Sequence, residues 1–386
     1  MSPRHIYLDY NATTPIRAEV KDALIADLEI YGNASSMHED GRVAGNRVEK
    51  ARQAVAALIG APSETIVFTS GGSESNNTVF QTMFLRGEGK QRNEIITTSI
   101  EHPCVINSAE FLRSRGIKVT FLPVDGNGRI HLDELSAALS EKTLLVSVML
   151  ANNEIGTIQD VAAVARLAKA AGAWVHTDAV QAAGKIPVNV DELGVDYLTM
   201  SAHKIYGPKG VGALYVRKGA PLEPLIRGGH QEHGLRAGTY NNVGILGFGV
   251  AAELALRDLS TYGKETRRLR NLLRDGLLEK VPNIRVNGHP VDVLPNTLDV
   301  SFPGAEGEAI LLSLDLMGIE ASTGSACASG SLEPSHVLMA TGVGPELAHG
   351  SIRFSLGRDS TEEDVRYVLD TVPPIIARLR AMSTIN

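Results

Sequence analysis

Tyr197-Leu198-Thr199-Met200-Ser201-Ala202-His203-Lys204-Ile205-Tyr206-Gly207-Pro208-Lys209-Gly210 passes from an apolar run into a polar stretch that ends in glycines. The pattern predicts a strand followed by a loop, with Lys204 at the strand's carboxyl end. Six further runs share the strand signature: Thr65 to Phe68, Glu94 to Thr97, Lys118 to Phe121, Leu144 to Val148, Trp174 to Thr177 and Gly212 to Val216. Amphipathic stretches lie between them. In Asp160 to Ala171, for example, Val161, Val164, Ala165 and Ala168 fall on one helical face. Strands alternating with such helices predict an α/β fold built on one seven-stranded, mostly parallel sheet. Open sheets of this class bind ligands at the carboxyl edge of their strands, where Lys204 is expected.

From about Gly244 the texture changes to a long helical region interrupted by Gly263, in which Lys264, Glu265, Arg267, Arg268 and Arg270 form a solvated face. Two strand-like runs follow, Thr297 to Phe302 and Ser351 to Ser355, each beside helical segments. They predict a small α+β domain. The expected division is a large domain over residues 16–260 and a small one formed by 1–15 with 261–386.

The chain carries 37 Lys plus Arg against 44 Asp plus Glu, a net charge of −7, so no basic field is expected to hold nucleic acid directly. No apolar run is long enough to span a bilayer, and Met1-Ser2-Pro3-Arg4-His5 leads into strand-like Ile6-Tyr7-Leu8 rather than an export signal. A cytoplasmic protein without a membrane partner is expected. Cys104 and Cys327 lack the paired spacing of a zinc site and the density of a disulfide framework. No metal is expected, and Cys327 should work as a thiol.

A lysine at a sheet edge condenses with an aldehyde when its amine is neutral. Most lysines are surface groups, and Lys204 alone would read that way. Pyridoxal phosphate, however, needs an acid at its pyridinium nitrogen, phosphate donors at a helix N-terminus and a stacking partner for its ring. Candidates for all three stand at other strand ends. Asp178 follows Trp174-Val175-His176-Thr177, although local sequence reads it equally well as a helix N-cap. Gln181 is three residues further on, in reach of the cofactor's phenolic oxygen, although an isolated Gln is usually a surface amide. Thr69-Ser70-Gly71-Gly72-Ser73-Glu74 opens a helix after another strand, so Gly72 and Ser73 offer N–H groups and a hydroxyl to a phosphate; a plain helix cap fits these residues too. Glu101-His102-Pro103 ends a third strand, where His102 can stack on a ring and shuttle protons. Taken singly, such a histidine is more often structural. Gly207, Gly210 and Gly212 have the wrong spacing for a dinucleotide fingerprint, which argues against a nicotinamide enzyme.

The segment Ala321-Ser322-Thr323-Gly324-Ser325-Ala326-Cys327-Ala328-Ser329-Gly330-Ser331 is rich in small polar residues, as expected of a mobile surface loop. A small buried hydrophobe is the common fate of a free cysteine, but the only apolar neighbours of Cys327 in this segment are alanines, which weighs against that reading. A nearby cation or helix N-terminus would raise its thiolate fraction. Cys104, between Pro103 and Val105-Ile106 at a helix start, reads instead as a packing residue.

Taken together these segments resemble the cysteine desulfurases of the NifS and IscS type, in the class V aminotransferase group of fold-type I pyridoxal enzymes. The likeness runs from Tyr7-Leu8-Asp9-Tyr10-Asn11-Ala12-Thr13-Thr14-Pro15 to Ser351-Ile352-Arg353-Phe354-Ser355-Leu356-Gly357-Arg358. Its most specific segments are Ser201-Ala202-His203-Lys204, Asn152-Asn153-Glu154-Ile155-Gly156, His176-Thr177-Asp178-Ala179-Val180-Gln181 and Gly324-Ser325-Ala326-Cys327. The continuation Ser331-Leu332-Glu333-Pro334-Ser335-His336 resembles the longer catalytic loop of the NifS/IscS branch.

The resemblance implies that Lys204 carries pyridoxal phosphate, Asp178 meets its pyridinium nitrogen, Gln181 its phenolic oxygen, and His102 stacks on the ring. Gly72, Ser73, Ser201 and His203 would hold the phosphate, with Thr239 reaching in from the neighbouring subunit of a homodimer. Asn153 would also contact the cofactor. Arg353, helped by Asn33, would pair with the carboxylate of L-cysteine. Cys327 would take the sulfur, release L-alanine and pass a persulfide to an acceptor protein in iron–sulfur assembly, tRNA thiolation or DNA phosphorothioation. General likeness leans toward the phosphorothioation branch, on no diagnostic residue. A selenocysteine lyase or another class V aminotransferase would share the cofactor residues. A noncatalytic scaffold would need neither Lys204, Asp178 nor Cys327, and all three are intact.

Four departures from the family pattern stand out. Its Asn-Pro-x-Ser-x-His reads Asn33-Ala34-Ser35-Ser36-Met37-His38, which is expected to loosen a turn near the substrate carboxylate. Gly72-Ser73 replaces Ala-Thr or Gly-Thr, His233 a common arginine and Cys104 a typical alanine. None removes a catalytic group.

Overall fold

The structure is a computed structural model and describes residues 5–87, 89–323 and 334–382. In chain order the first half contains β1 (Ile6–Tyr7), α1 (Ala18–Asp27), α2 (Glu39–Leu58), β2 (Ile66–Thr69), α3 (Gly72–Gly87), β3 (Glu94–Thr98), α4 (Pro103–Ser114), β4 (Lys118–Leu122), α5 (Leu132–Ala138), β5 (Thr143–Ser147), α6 (Val161–Ala170) and β6 (Trp174–Asp178). The second half adds α7 (Val190–Leu193), β7 (Tyr197–Ser201), β8 (Gly212–Val216), α8 (Asn242–Lys280), β9 (Arg285–Asn287), β10 (Thr297–Ser301), α9 (Gly307–Asp315), β11 (Ile319–Glu320), α10 (His336–Ala340), α11 (Pro345–His349), β12 (Ser351–Ser355) and α12 (Glu362–Met382).

All seven strands expected from the sequence form one sheet in the order β2-β8-β7-β6-β5-β3-β4. The pairs from β7 to β4 are parallel, and β8 runs antiparallel to both β7 and β2. The inner strands are buried throughout, which explains their continuous apolar runs: helices cover both faces of such a sheet. At the β4 edge Lys118 is exposed, a charge that discourages further strand pairing. The strand order reverses between β3 and β5, so the loops after β3, β6 and β7 lie around the crevice where open sheets bind ligands.

A second apolar cluster surrounds the antiparallel sheet β12-β10-β9. It gathers Leu298 and Val300 of β10, Ile352 and Phe354 of β12, Leu269, Leu273 and Leu277 of α8, Val368 and Val372 of α12, and Ile6 and Leu8 at the N-terminus. The strand expected near Ile6 pairs in parallel with β11, which together with β9 the sequence reading missed. Both are short, with two and three residues, too few to show an alternating pattern.

One expectation is overturned: Gly263 does not interrupt the long helix, which runs unbroken for 39 residues. A glycine in a helix interior costs about 1 kcal/mol relative to alanine. Burying Phe248 on one side of it and Leu269, Leu273 and Leu277 on the other contributes roughly 1.5–3 kcal/mol each, so packing prevails. The helix thereby joins the two clusters, with Phe248 and Ala252 in the first and Leu273 in the second. Among the described residues no helix is long and apolar enough to cross a membrane, and no group of His, Cys, Asp or Glu is arranged to hold a metal ion.

Candidate active site

β7 ends at Ser201, and a single 3₁₀ turn, Ala202–Lys204, carries Lys204. Its Nζ donates to the main-chain carbonyl of Ala12 at 2.7 Å and to that of Asn11. The N-terminal segment is laced to this turn: Thr14 donates its N–H and its hydroxyl to the His203 carbonyl, both at 3.0 Å, and Tyr206 N–H donates to the Thr14 hydroxyl at 2.8 Å. At Gly207 a Cβ would come within 2.9 Å of the Ala202 carbonyl oxygen, so the turn closes only with glycine there. Lys204 also borders a cavity of about 280 Å³ between α8 and the turn, with Tyr206, Asp258 and Tyr262 in its wall; His102, Asp178 and Gln181 are not part of that wall.

Asp178, the last residue of β6, is 6% exposed. Its Oδ1 accepts the Val180 N–H at 2.9 Å and its Oδ2 accepts Asn76 Nδ2 at 2.7 Å. No helix begins after it, so the N-cap alternative is not realised. Asn76 belongs to the first turns of α3, the helix that starts at Gly72, and thereby ties Asp178 to that helix start. The first N–H groups of a helix have no partner within it. Gly71 has φ +154, and a Cβ there would meet nothing within 4 Å, so the approach to these N–H groups is open. Ser73 is exposed in this first turn, and Glu74 turns back to accept the Ser70 N–H at 2.8 Å.

Gln181 donates its Nε2 to the same Asn11 carbonyl that receives Lys204, at 2.9 Å. The two side chains are therefore held on one atom.

His102 caps α4 through Nδ1, which accepts the Cys104 N–H at 3.2 Å. Because an N–H donates to Nδ1, that nitrogen is unprotonated and the neutral ring carries its proton on Nε2. Burial lowers the His102 pKa, assisted by Lys204 and His336 and opposed by Asp178. Cys104 packs against the cluster around Val105 and Phe80 as expected, but its sulfur also lies 3.0 Å from His102 Nδ1 and accepts Asn76 Nδ2 at 3.2 Å. The packing read from the sequence is present, and these two polar contacts add to it. Burial, with Asp178 adding to it, pushes the Cys104 thiol up to about 12. Glu101 beside it accepts Met149 N–H and the Thr98 hydroxyl, both at 2.8 Å, yet burial pushes its carboxyl up to about 8.

Arg353 on β12 is 3% exposed. Its Nη2 pairs with Asp9 Oδ1 at 2.7 Å and its Nη1 donates to the Asn153 carbonyl at 3.1 Å, while Nε has no hydrogen-bond partner among the described residues. The Asn153 carbonyl also accepts Asn11 Nδ2 at 3.1 Å, which links the arginine to the Lys204 network. His203 sits against the Thr13 hydroxyl at 3.1 Å, and burial lowers its pKa to about 4. Ser201 is buried at the end of β7. No hydrogen bond joins Asn33 or Thr239 to these groups among the described residues. Asn33 is exposed, with Oδ1 accepting the Ser35 N–H at 2.9 Å, so the turn expected to loosen without proline is fastened by a side chain. Thr239 is exposed beyond a turn in which Glu232 and His233 both adopt positive φ.

Cys327 lies outside the described residues. The residues on either side of its segment are described, and both reach the site. Ser322 exchanges main-chain hydrogen bonds with Arg353, at 3.2 and 2.6 Å. Ser335 donates its hydroxyl to Glu154 Oε2 at 2.5 Å, and His336 Nε2 lies 3.0 Å from the carbonyl of Glu101, next to His102.

Sequence reasoning missed Asn11, Asn76 and Lys185, which connect the named residues. Asn11 lay within a quoted motif and Asn76 one turn beyond Ser73, so position offered a signal for these two. Lys185 offered none, because its burial depends on how the turn after β6 folds back on the Lys204 loop.

The family model for class-V aminotransferases matches residues 6–368. The cysteine desulfurase IscS of Dictyoglomus turgidum is 50% identical over 381 residues, covering 98% of this chain and 96% of that protein. Among solved structures, a NifS-like protein superposes with a TM-score of 0.91 at 42% identity, over 97% of this chain and 100% of the other. DndA from Streptomyces lividans superposes with a TM-score of 0.77 at 37% identity, over 90% and 98%. The chain belongs to the class-V aminotransferase family and, within it, to the IscS/NifS-type cysteine desulfurases.

Proposed function

We propose that this protein is a pyridoxal-phosphate-dependent cysteine desulfurase in which Lys204 carries the cofactor and Cys327 receives the sulfur of L-cysteine. The observation that carries this reading is the convergence of Lys204 and Gln181 on the Asn11 carbonyl, with Asp178 three residues before Gln181 and bound through Asn76 to the start of α3. An amine, an acid and a row of helix-terminal N–H groups are the donor set that an aromatic aldehyde phosphate requires. The residues fit the group, and the open approach at Gly71 supports a phosphate there.

When bound, the cofactor withdraws electrons from the amino acid joined to it. The chain's own residues do the rest. Asp178 would keep a proton on the ring nitrogen, Gln181 would donate to the phenolic oxygen, and His102 would lie against the ring. Gly72, Ser73, Ser201 and His203 would hold the phosphate, joined by Thr239 from the second subunit of a homodimer, and Asn153 would contact the cofactor as well. Lys204 moves protons at the substrate carbon. Arg353, with Asn33, receives the substrate carboxylate through N–H groups not taken by Asp9 and Asn153. The Cys327 thiolate attacks the substrate sulfur: a sulfur–sulfur bond forms, the carbon–sulfur bond breaks, and its electron pair stays with the carbon until that carbon is protonated. L-cysteine and Cys327–SH become L-alanine and Cys327–S–SH, with no external oxidant or reductant.

The persulfide then passes to an acceptor protein. Iron–sulfur assembly fits the IscS relatives; delivery to DNA phosphorothioation is the second reading, favoured by the likeness to DndA. The same reading divides the chain into residues 16–260 and 1–15 with 261–386, and gives it a cytoplasmic location with no direct nucleic-acid or membrane partner. Purified protein should be yellow and release alanine from L-cysteine without a keto acid. Cys327→Ser should keep the colour and lose alanine release, and Lys204→Ala should lose the visible band. Alanine release at the normal rate by Cys327→Ser would sink the assignment.

A further inference from the structure

Lys185 takes no part in the chemistry above, yet it is 3% exposed and lies against the site. It stands in the turn after β6, and Gly184 before it has φ +74. A Cβ at Gly184 would come within 2.7 Å of the Ile205 side chain, so this turn packs on the residue that follows Lys204. The Lys185 Nζ donates to Gln181 Oε1 at 2.6 Å and to Asn11 Oδ1 at 3.0 Å. Both acceptors are neutral amide oxygens, and no carboxylate pairs with this amine among the described residues.

We propose that Lys185 is a positioning residue: it holds the carboxamide oxygen of Gln181 and so turns that side chain's N–H₂ end toward the ligand site. The inference rests on the role given above to Gln181, and it adds a reason why that amide faces one way.

The two ends of a carboxamide have nearly the same shape, so the orientation is set by partners alone. Here both ends agree. Lys185 supplies N–H groups and selects Oε1, while the Asn11 carbonyl accepts and selects Nε2 at 2.9 Å. A flipped amide would set N–H against N–H at one end and oxygen against oxygen at the other. Asn11 cannot relax to accommodate it. Its Oδ1 accepts both Lys185 and Asn296 Nδ2, and its Nδ2 donates to the Asn153 carbonyl and the Thr297 hydroxyl, all at 2.9–3.1 Å. Gln181 Nε2 keeps a second N–H beyond the one given to Asn11, and this is the proton a ligand oxygen would meet. Burial, with Lys204 and Arg353 nearby, holds the Lys185 pKa well below its ordinary value. A neutral amine has two N–H groups, which matches the two acceptors.

The test is the pH at which the visible absorbance of the cofactor-loaded protein changes, measured for Lys185→Met, Gln181→Met and the double variant. Methionine keeps the length of the lysine stem without donors, so it takes the N–H groups away from Gln181 Oε1 and Asn11 Oδ1 while filling the same space. Each single variant should move the midpoint in the same direction by about one unit, the size expected for one ordinary hydrogen bond. The double variant should move it no further than Gln181→Met alone, because Lys185 acts through Gln181. Lys185→Arg, which keeps donors at that place, should stay near the wild-type midpoint. An unshifted midpoint in Lys185→Met, shifts that add in the double variant, or an equal shift in Lys185→Arg would each overturn the inference. Loading and colour in the wild type separate the two readings: a wild type that takes up no cofactor removes the cofactor assignment itself, whereas normal loading with an unshifted midpoint removes only the role of Lys185.

Discussion

Asp9 and Arg353 meet at 2.7 Å, joining the segment after β1 to the middle of β12, with the arginine 3% exposed. The ion pair fixes the plane of the guanidinium before any substrate arrives. A carboxylate approaching Arg353 finds donors already oriented and immobilised, which lowers the entropy cost of binding. Asp9→Ala is therefore expected to raise KM for L-cysteine by about tenfold with little change in kcat, since the contact is equally present before and during reaction. Steady-state alanine release at varied L-cysteine checks it. A fall in kcat with unchanged KM would place Asp9 in the chemistry instead.

Much of this site was legible in the sequence because strand ends are. Lys204, Asp178 and His102 each follow a run of residues that can only be a buried strand, and parallel strands put their carboxyl ends on one edge. What could not be read was the wiring between them. Asn76, Asn11 and Lys185 act through contacts spanning 102, 193 and 174 residues of chain, respectively, and no local pattern encodes a partner that distant. Gly263 misled for the opposite reason: a strong local preference was outweighed by packing against residues far away.

Cys104 and Cys327 should differ sharply as thiols. The Cys104 sulfur is half-buried between His102 and Asn76, and its pKa stands at about 12. At pH 8 almost none of it is thiolate, so it is a poor nucleophile. Titration of the folded protein with a disulfide reagent at pH 8 should consume about one equivalent quickly and the second only after denaturant is added. In Cys327→Ser the fast equivalent should vanish. Two fast equivalents would mean that the Cys104 pocket opens in solution.

Glu101 gives stability a definite pH dependence. Burial raises its pKa from an ordinary 4.5 to about 8, so between those values the folded chain holds a proton that the unfolded chain has released. The sign follows: this contribution is fully present below pH 4.5 and is lost as pH rises through 8. Glu101→Gln keeps the shape without the ionisation. Relative to wild type it should gain stability steadily from about pH 5 to pH 8, by on the order of 4 kcal/mol at the upper end. Urea midpoints measured across that range check it, and a constant difference between the two proteins would show that Glu101 does not titrate in the window.

Arg52 and Glu232 form a buried pair at the turn that precedes Thr239. Arg52 on α2 donates Nη1 and Nη2 to the two carboxylate oxygens of Glu232 at 2.7 and 2.9 Å, and Glu232 also accepts the Phe68 N–H of β2 at 2.9 Å. Glu232 and His233 hold φ of 47° and 56°, conformations that side-chained residues adopt only when other contacts compel them. The carboxylate supplies that compulsion. Glu232→Ala leaves a guanidinium that is 2% exposed with only the half-exposed Glu49 carboxylate and the Ile66 carbonyl for partners, and should lower the unfolding free energy by about 3 kcal/mol. Replacing both residues by apolar side chains should recover most of that loss, because a buried guanidinium that has lost its buried carboxylate is what costs, yet it should not restore the turn. If Thr239 serves a neighbouring subunit's phosphate, the double variant should fold well and load cofactor weakly, which equilibrium dialysis against pyridoxal phosphate would register. Full loading in that variant would separate the turn from the cofactor site altogether.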